Sequence, residues 1–293
     1  MTTTMTTAVF ACPVCGAMLP STPGGYVCAN GHQFDIAREG YVNLLLAQHR
    51  RSKDPGYNKE MIAGRRDFFD AGHYQRLADG VAERVRATLP PEPDPVVVDA
   101  GCGEGYYLRR LRTLLADAES HGDAILCGLD ISKHGIRVAA KRDPQGIYAV
   151  AGTYRMPVLP ERVDVLLTHF SPVSAVDFRR IVKPGGIVLV GGPGEGHLFS
   201  FKELLYDRPA QHEPEATLAD ERGFELIDTS TIRYPLSLQG PGQVANLLLM
   251  TPFFWSVDEN ARARLAALDT LDTEVDVVVY AYRRTFDAPA GAE

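Results

Sequence analysis

Two groups of residues in this sequence have the types and spacing to do chemistry. The first is Cys12 and Cys15 with Cys28 and His32, a C-x2-C pair followed by a C-x3-H pair about one hairpin's length later. Zinc takes four soft or imidazole ligands in a tetrahedron, and two short pairs on opposed turns supply that geometry. Four ligands leave no open position, so the expectation is one structural Zn2+ that staples a segment too short to build its own core. The second group lies in residues 96–107, VVVDAGCGEGYY. Val96, Val97, Val98 and Asp99 read as a buried strand, Gly101, Gly103 and Gly105 follow, and apolar residues then recur at helical spacing. Glycines at alternate positions let the chain turn sharply and let a ligand lie against main-chain atoms that a Cβ would hold away. The dinucleotide fingerprint is G-x-G-x-x-G facing a pyrophosphate; here G-x-G-x-G follows an acid, which suits a ligand carrying an amine and a sulfonium.

The elements around this turn must position it. Residues 124–130 (AILCGLD) read as a second strand ending in Asp130, and an acid at such a tip can accept two ribose hydroxyls. It comes later than the usual interval of about 20 residues, and the insert at residues 117–123 accounts for the delay. Ser132 caps a helix. Residues 147–150 and 163–168 give the third and fourth strands, and residues 187–190 the fifth, after a Lys-Pro-Gly-Gly stop. Residues 224–233 and 275–282 are expected as the final pair. Ahead of all this, residues 60–84 carry helical periodicity broken at residues 71–74, and a proline-rich stretch at residues 90–95 marks a boundary. The expected organisation is a zinc-binding segment (1–40), a basic linker with helices (41–94) and a domain built on the glycine turn (95–293); the resemblance below implies that those helices cap a cofactor and that the last domain is catalytic.

D-x-G-C-G-x-G resembles motif I of the class I S-adenosylmethionine (SAM) methyltransferases. A more specific resemblance follows from the string GHQFDIAREGYVNLL directly after the Cys/His pairs, and from QHRRSKDPG, EMIAGRRDFFDAGHYQRL, GLDISK, VKPGG and LLLMTPFFW in that order. Together they resemble the RlmA family of 23S rRNA guanine-N1 methyltransferases, which includes tylosin-resistance enzymes, over nearly the full length. The resemblance implies an α/β fold, a Rossmann-like and mostly parallel seven-stranded sheet with an N-terminal zinc ribbon. It implies SAM as cofactor, bordered by Tyr74, Asp99, Gly101, Gly103, Glu104, Gly105, Asp130, Ile131, Gly152, Thr153 and His197, with Tyr74 beside the SAM carboxylate or the adjacent backbone. It puts Phe170, Ser171 and Pro172 in a substrate pocket where a flipped base could stack, although relatives carry Ala where Ser171 stands. The Asp that more commonly lies near the adenine is absent from residues 151–157. The implied partner is 23S rRNA, through a hairpin loop of domain II, with a homodimer left open.

The whole chain narrows the alternatives. Its 293 residues, 45% hydrophobic, suffice for one large domain and something small, and no run approaches a membrane span. The expectation is a cytoplasmic enzyme. Five cysteines, three of them within 17 residues, favour metal over disulfides. A formal net charge of −7 argues against nucleic acid gripped by the overall field, so local basic patches such as residues 48–53 (QHRRSK) would have to do that work. No general base stands out; His169 is within range by position only. Residues 247–255 read either as core or as a wall of the base pocket. The rival function is methylation of a small molecule on the same fold.

Overall fold

A strand that is apolar on both faces must be covered on both, and residues 96–100 set this protein's layering. The structure is a computed structural model that describes residues 8–49, 56–117, 123–255 and 258–286. At the N-terminus β1 (Ser21–Thr22), β2 (Gly25–Val27) and β3 (Gln33–Asp35) form a small antiparallel sheet. The chain continues through β4 (Val42–Asn43), α1 (Lys59–Asp70), α2 (Gln75–Thr88), β5 (Val96–Ala100), α3 (Tyr106–Ala116), β6 (Ile125–Asp130), α4 (Lys133–Arg142), β7 (Ile147–Val150), β8 (Val163–His169) and α5 (Ala175–Ile181). It ends with β9 (Val182–Pro193), α6 (Phe199–Leu205), β10 (Phe224–Gln239), α7 (Pro241–Met250), α8 (Glu259–Ala266) and β11 (Thr270–Arg284).

The large sheet has the order β10-β11-β9-β8-β5-β6-β7-β4. β11 runs antiparallel to both its neighbours and the remaining pairs are parallel. This is the expected mostly parallel arrangement, extended by one short strand, because Val42 and Asn43 pair with Ala149 and Val150 at the β7 edge. Alternation along β5 divides the core in two. Val97 joins α1, α2, α3 and α7 on one face, whereas Val96, Val98 and Ala100 join the N-terminal segment and α5 on the other.

The small sheet is not a loose appendage. Phe10 is 1% exposed and bridges to Val158, while the Ala11 N–H donates to the Pro157 carbonyl at 3.0 Å. Burying one such ring contributes about 1.5–3 kcal/mol, which helps tie the metal-bearing segment to the loop that follows β7. On the opposite face α1 begins at Asn58, whose side chain accepts from the Met61 N–H. α1 then packs against α7 so closely that a Cβ on Gly64 would come within 2.7 Å of Leu249. β10 and β11 are longer than expected, because beyond the sheet they continue as a hairpin arm that carries α7 and α8.

Candidate active site and metal centre

The Cys12, Cys15, Cys28 and His32 ligand atoms all lie within 4.8 Å of one another. Cys15 Sγ is 3.8 Å from Cys28 Sγ, and His32 Nδ1 is 3.6 Å from Cys12 Sγ and 3.4 Å from Cys28 Sγ. A tetrahedral zinc with ordinary bond lengths separates two sulfurs by about 3.8 Å and a sulfur from a nitrogen by about 3.6 Å. These three separations match those of a tetrahedral zinc, and the four residues are the donor set that would hold one. Backbone turns make the fit: the Gly16 N–H donates to the Cys12 carbonyl and the Gly31 N–H to the Cys28 carbonyl, with both glycines at positive φ.

At the C-terminal ends of the parallel strands lie two adjoining cavities, of about 770 and 300 Å³. Gly101, Asp130, Ile131, Ser171 and Pro172 line both, so they share one floor. The larger adds Gly152 and Thr153 with Leu44, Leu45, His49, Tyr154 and Arg155; the smaller adds Gly103, Phe170, Tyr57, Arg65, His169 and Trp255. A ligand-binding crevice is expected at this end of an open parallel sheet, where the strand order reverses.

The three glycines of the turn have different reasons to be glycine. All have positive φ. A Cβ on Gly101 would fall 2.1 Å from Ser171 Oγ, so this residue lets the β5 and β8 tips meet. A Cβ on Gly103 would stand 3.5 Å from Arg65 Nε, narrowing the smaller cavity. Gly105 serves packing, since its Cβ would come within 2.9 Å of the Ala139 side chain in α4 and it borders neither cavity.

The acids also divide. Asp130 Oδ2 accepts from the Gly103 N–H at 2.9 Å and Oδ1 from the Ser132 N–H at 2.7 Å, which aims the carboxyl along the shared floor. Burial raises its pKa, and these two bonds oppose the rise. Asp99 is 1% exposed, its Oδ2 has no hydrogen-bond partner, and burial followed by repulsion from Asp130 pushes it up to about 7. Glu104 lines neither cavity: its side chain is fully buried, 3.5 Å from Arg109 and from Arg142, whose charges attract the carboxylate.

Tyr74 and His197 are brought together but set back from the cavity walls. The Asp276 N–H donates to His197 Nδ1 at 3.2 Å, so the proton of this neutral imidazole is on Nε2, 3.4 Å from Tyr74 Oη. Burial pushes the His197 pKa down to about 3. Phe170 stacks on this imidazole, centroids 5.4 Å apart, in a left-handed backbone conformation (φ 53°) and 40% exposed. A bulky residue held in that region marks local strain. His169 is stacked on Tyr107 at 5.0 Å, both ring nitrogens lack partners, and burial pushes its pKa down to about 4, so it is neutral near pH 7.

Several lining residues were not singled out in the sequence. Arg65 had a visible signal, a cation on the helix face shared by Met61, Phe68 and Phe69. Trp255 resolves an ambiguity: Leu247 and Leu248 are buried in the core, whereas Trp255, at the far end of the same stretch, borders the smaller cavity. Arg50, Arg51 and Lys53 lie outside the described residues. Among the described residues no helix is long and apolar enough to cross a membrane.

Known proteins resemble this chain in both the metal-binding segment and the sheet. The family described as "RlmA, N-terminal", a zinc ribbon, matches residues 10–53, and the family described as "Methyltransferase domain" matches residues 98–190. The 23S rRNA (guanine(748)-N(1))-methyltransferase of Streptomyces fradiae is 33% identical over 87% of this chain and 89% of its own length. Relatives from Micromonospora griseorubida (35% identical, over 88% of this chain and 90% of theirs) and Bacillus subtilis (30%, over 94% and 98%) are named for guanine-N1 methylation of the same RNA. With matches that span the metal-binding segment and the sheet alike, the chain belongs to the RlmA family of SAM-dependent 23S rRNA (guanine-N1)-methyltransferases.

Proposed function

We propose that this enzyme methylates N1 of a guanine in a hairpin loop of 23S rRNA domain II, with the nucleoside of SAM in the larger cavity, its methionine end carried over the shared floor to the Gly103 and Arg65 side of the smaller, and the base in the remainder of the smaller cavity. The observation that carries the division is the shared floor: the two volumes meet at Gly101, Asp130 and Ser171, with Phe170 on one side only. Asp130 is positioned to take the ribose hydroxyls, Ile131, Gly152 and Thr153 to flank the nucleoside, and Gly101 and Gly103 to leave room for its tail. The Tyr74 and His197 pair supports Phe170 from behind. Bound there, the cofactor supplies a methyl group already activated on a sulfonium sulfur. What remains to the protein is largely positioning, together with release of the guanine N1 proton, which passes to solvent as the methyl group takes its place.

Phe170 offers a ring face, Pro172 a rigid edge, and Tyr57 and Trp255 further aromatic walls for a base swung out of its loop. The neutral His169 adds no competing charge. Ser171, where relatives carry Ala, packs its hydroxyl on Gly101, so the change adjusts the floor without closing it. Arg50, Arg51 and Lys53 would then serve as phosphate contacts. By family likeness the candidate target is the guanine that the Streptomyces fradiae relative's name specifies, with macrolide resistance as the expected phenotype.

The test is transfer of labelled methyl from SAM to a domain II hairpin transcript and, in parallel, to a low-molecular-weight extract. RNA labelling alone is expected. Replacing Arg50, Arg51 and Lys53 by Ala should flatten the salt dependence of RNA binding by about 0.7 in log–log slope per lost contact. Strong labelling of a metabolite with none in RNA would establish the small-molecule reading instead.

A further inference from the structure

Arg65 is a buried cation without a paired counter-charge among the described residues. It is 9% exposed and lies on the inner face of α1, its Nε buried without a hydrogen-bond partner, and no carboxylate forms an ion pair with it among the described residues. A buried guanidinium is normally paired, because desolvating a charge without compensation is costly. Here aromatic rings hold it instead. Its Cζ stands 4.9 Å from the Phe69 ring centroid and 5.9 Å from that of Tyr57, and Phe69 is in turn stacked on Tyr106 at 4.2 Å. Stacking fixes the plane of the guanidinium and leaves its donor fork uncommitted. That fork lies across Gly103, on the wall of the smaller cavity.

An uncommitted fork on a cavity wall calls for an anionic oxygen pair. The cofactor's tail ends in an α-amino acid, whose carboxylate shares the floor with Asp130, an acid that gives it no partner. A cation is needed on that side of the turn. Of the two arginines on the cavity walls, Arg155 is on the far side, with Nη1 3.4 Å from His49 Nε2. Tyr74, to which the family resemblance points, borders neither cavity and has its hydroxyl directed to His197. We infer that Arg65 binds the α-carboxylate of the cofactor's methionine end by a bidentate, charge-assisted pair of hydrogen bonds. This rests on the assignment of SAM to the shared floor.

Calorimetry with S-adenosylmethionine and decarboxylated S-adenosylmethionine tests it. The wild-type protein should prefer the carboxylated ligand by about 10- to 100-fold, the usual worth of a buried charge-assisted contact. Arg65→Ala should erase that preference by weakening S-adenosylmethionine alone, and Arg65→Lys should restore part of it. A wild-type protein that binds both ligands equally would overturn the inference whether or not the variants fold. Equal loss of both ligands in folded Arg65→Ala would reduce the residue to a packing role. Unchanged cofactor affinity with lost RNA methylation would turn the guanidinium towards the base. Failure of the wild type to bind either ligand would overturn the SAM assignment itself, and the inference with it.

Discussion

The metal centre and the floor between the two cavities are built on opposite plans. In the ribbon, four ligand atoms from two turns converge on one point at distances a single zinc ion satisfies, and nothing else is asked of them. At the strand ends, polar groups are buried and left incomplete: Asp99 Oδ2, Arg65 Nε and both His169 nitrogens have no partner. A structural site is closed and satisfied once its ion arrives. A functional site holds its groups ready for something that comes and goes, at a cost in stability. The contrast suggests that the two regions should respond in opposite directions when their polar groups are removed.

The largest effect is expected in the ribbon. Zinc binding in such modules is worth about 10–16 kcal/mol, so Cys28→Ser should lower zinc from about one per chain towards zero and loosen the packing of Phe10 on the β7–β8 connection. Elemental analysis with thermal unfolding checks both, and full zinc retention would contradict the assignment. The opposite sign is expected at Asp99. Its folded-state pKa of about 7 lies above the usual carboxylate value, so the native state holds a proton that the unfolded chain releases, and stability is lost as pH rises from about 4 through 7. Asp99→Asn should therefore stabilise the ligand-free protein, by up to about 4 kcal/mol at pH 8 and less at pH 5. A melting temperature equal to or below the wild type's at pH 8 would break the contrast.

How much of this was legible in the sequence depended on distance along the chain. The zinc quartet and the glycine turn are local patterns whose chemistry survives in the spacing, and the run of Val96 to Val98 announces a doubly covered strand. The Arg65 role, the Trp255 wall and the Phe170–His197 stack depend on which elements come together in three dimensions. Glu104 and Gly105 show the converse: both sit inside a motif read as a cofactor site, yet tertiary packing turns one towards Arg109 and Arg142 and uses the other to seat α3 on α4. β4 is too short for any periodicity to show, and its two residues are recruited by the open edge of β7.

A smaller effect sharpens the functional half of the contrast. Asp130→Ala should weaken SAM binding by about 1.5–3 kcal/mol, through loss of charge-assisted hydrogen bonds to the ribose. It also removes the acceptor of the Gly103 N–H, so the loop should loosen with little change in global unfolding. Unchanged affinity by calorimetry would mean that the strand tip points away from the cofactor.

The most direct test of the central claim is the position and identity of the product. Methylation at N1 blocks the pairing edge of guanine, so reverse transcription of 23S rRNA treated with the enzyme and SAM should arrest at one guanine of a domain II hairpin loop, and nucleoside analysis should recover 1-methylguanosine. Arrest should vanish when SAM is omitted. Methylated RNA with no arrest at a guanine, or a different methylated nucleoside, would contradict the account.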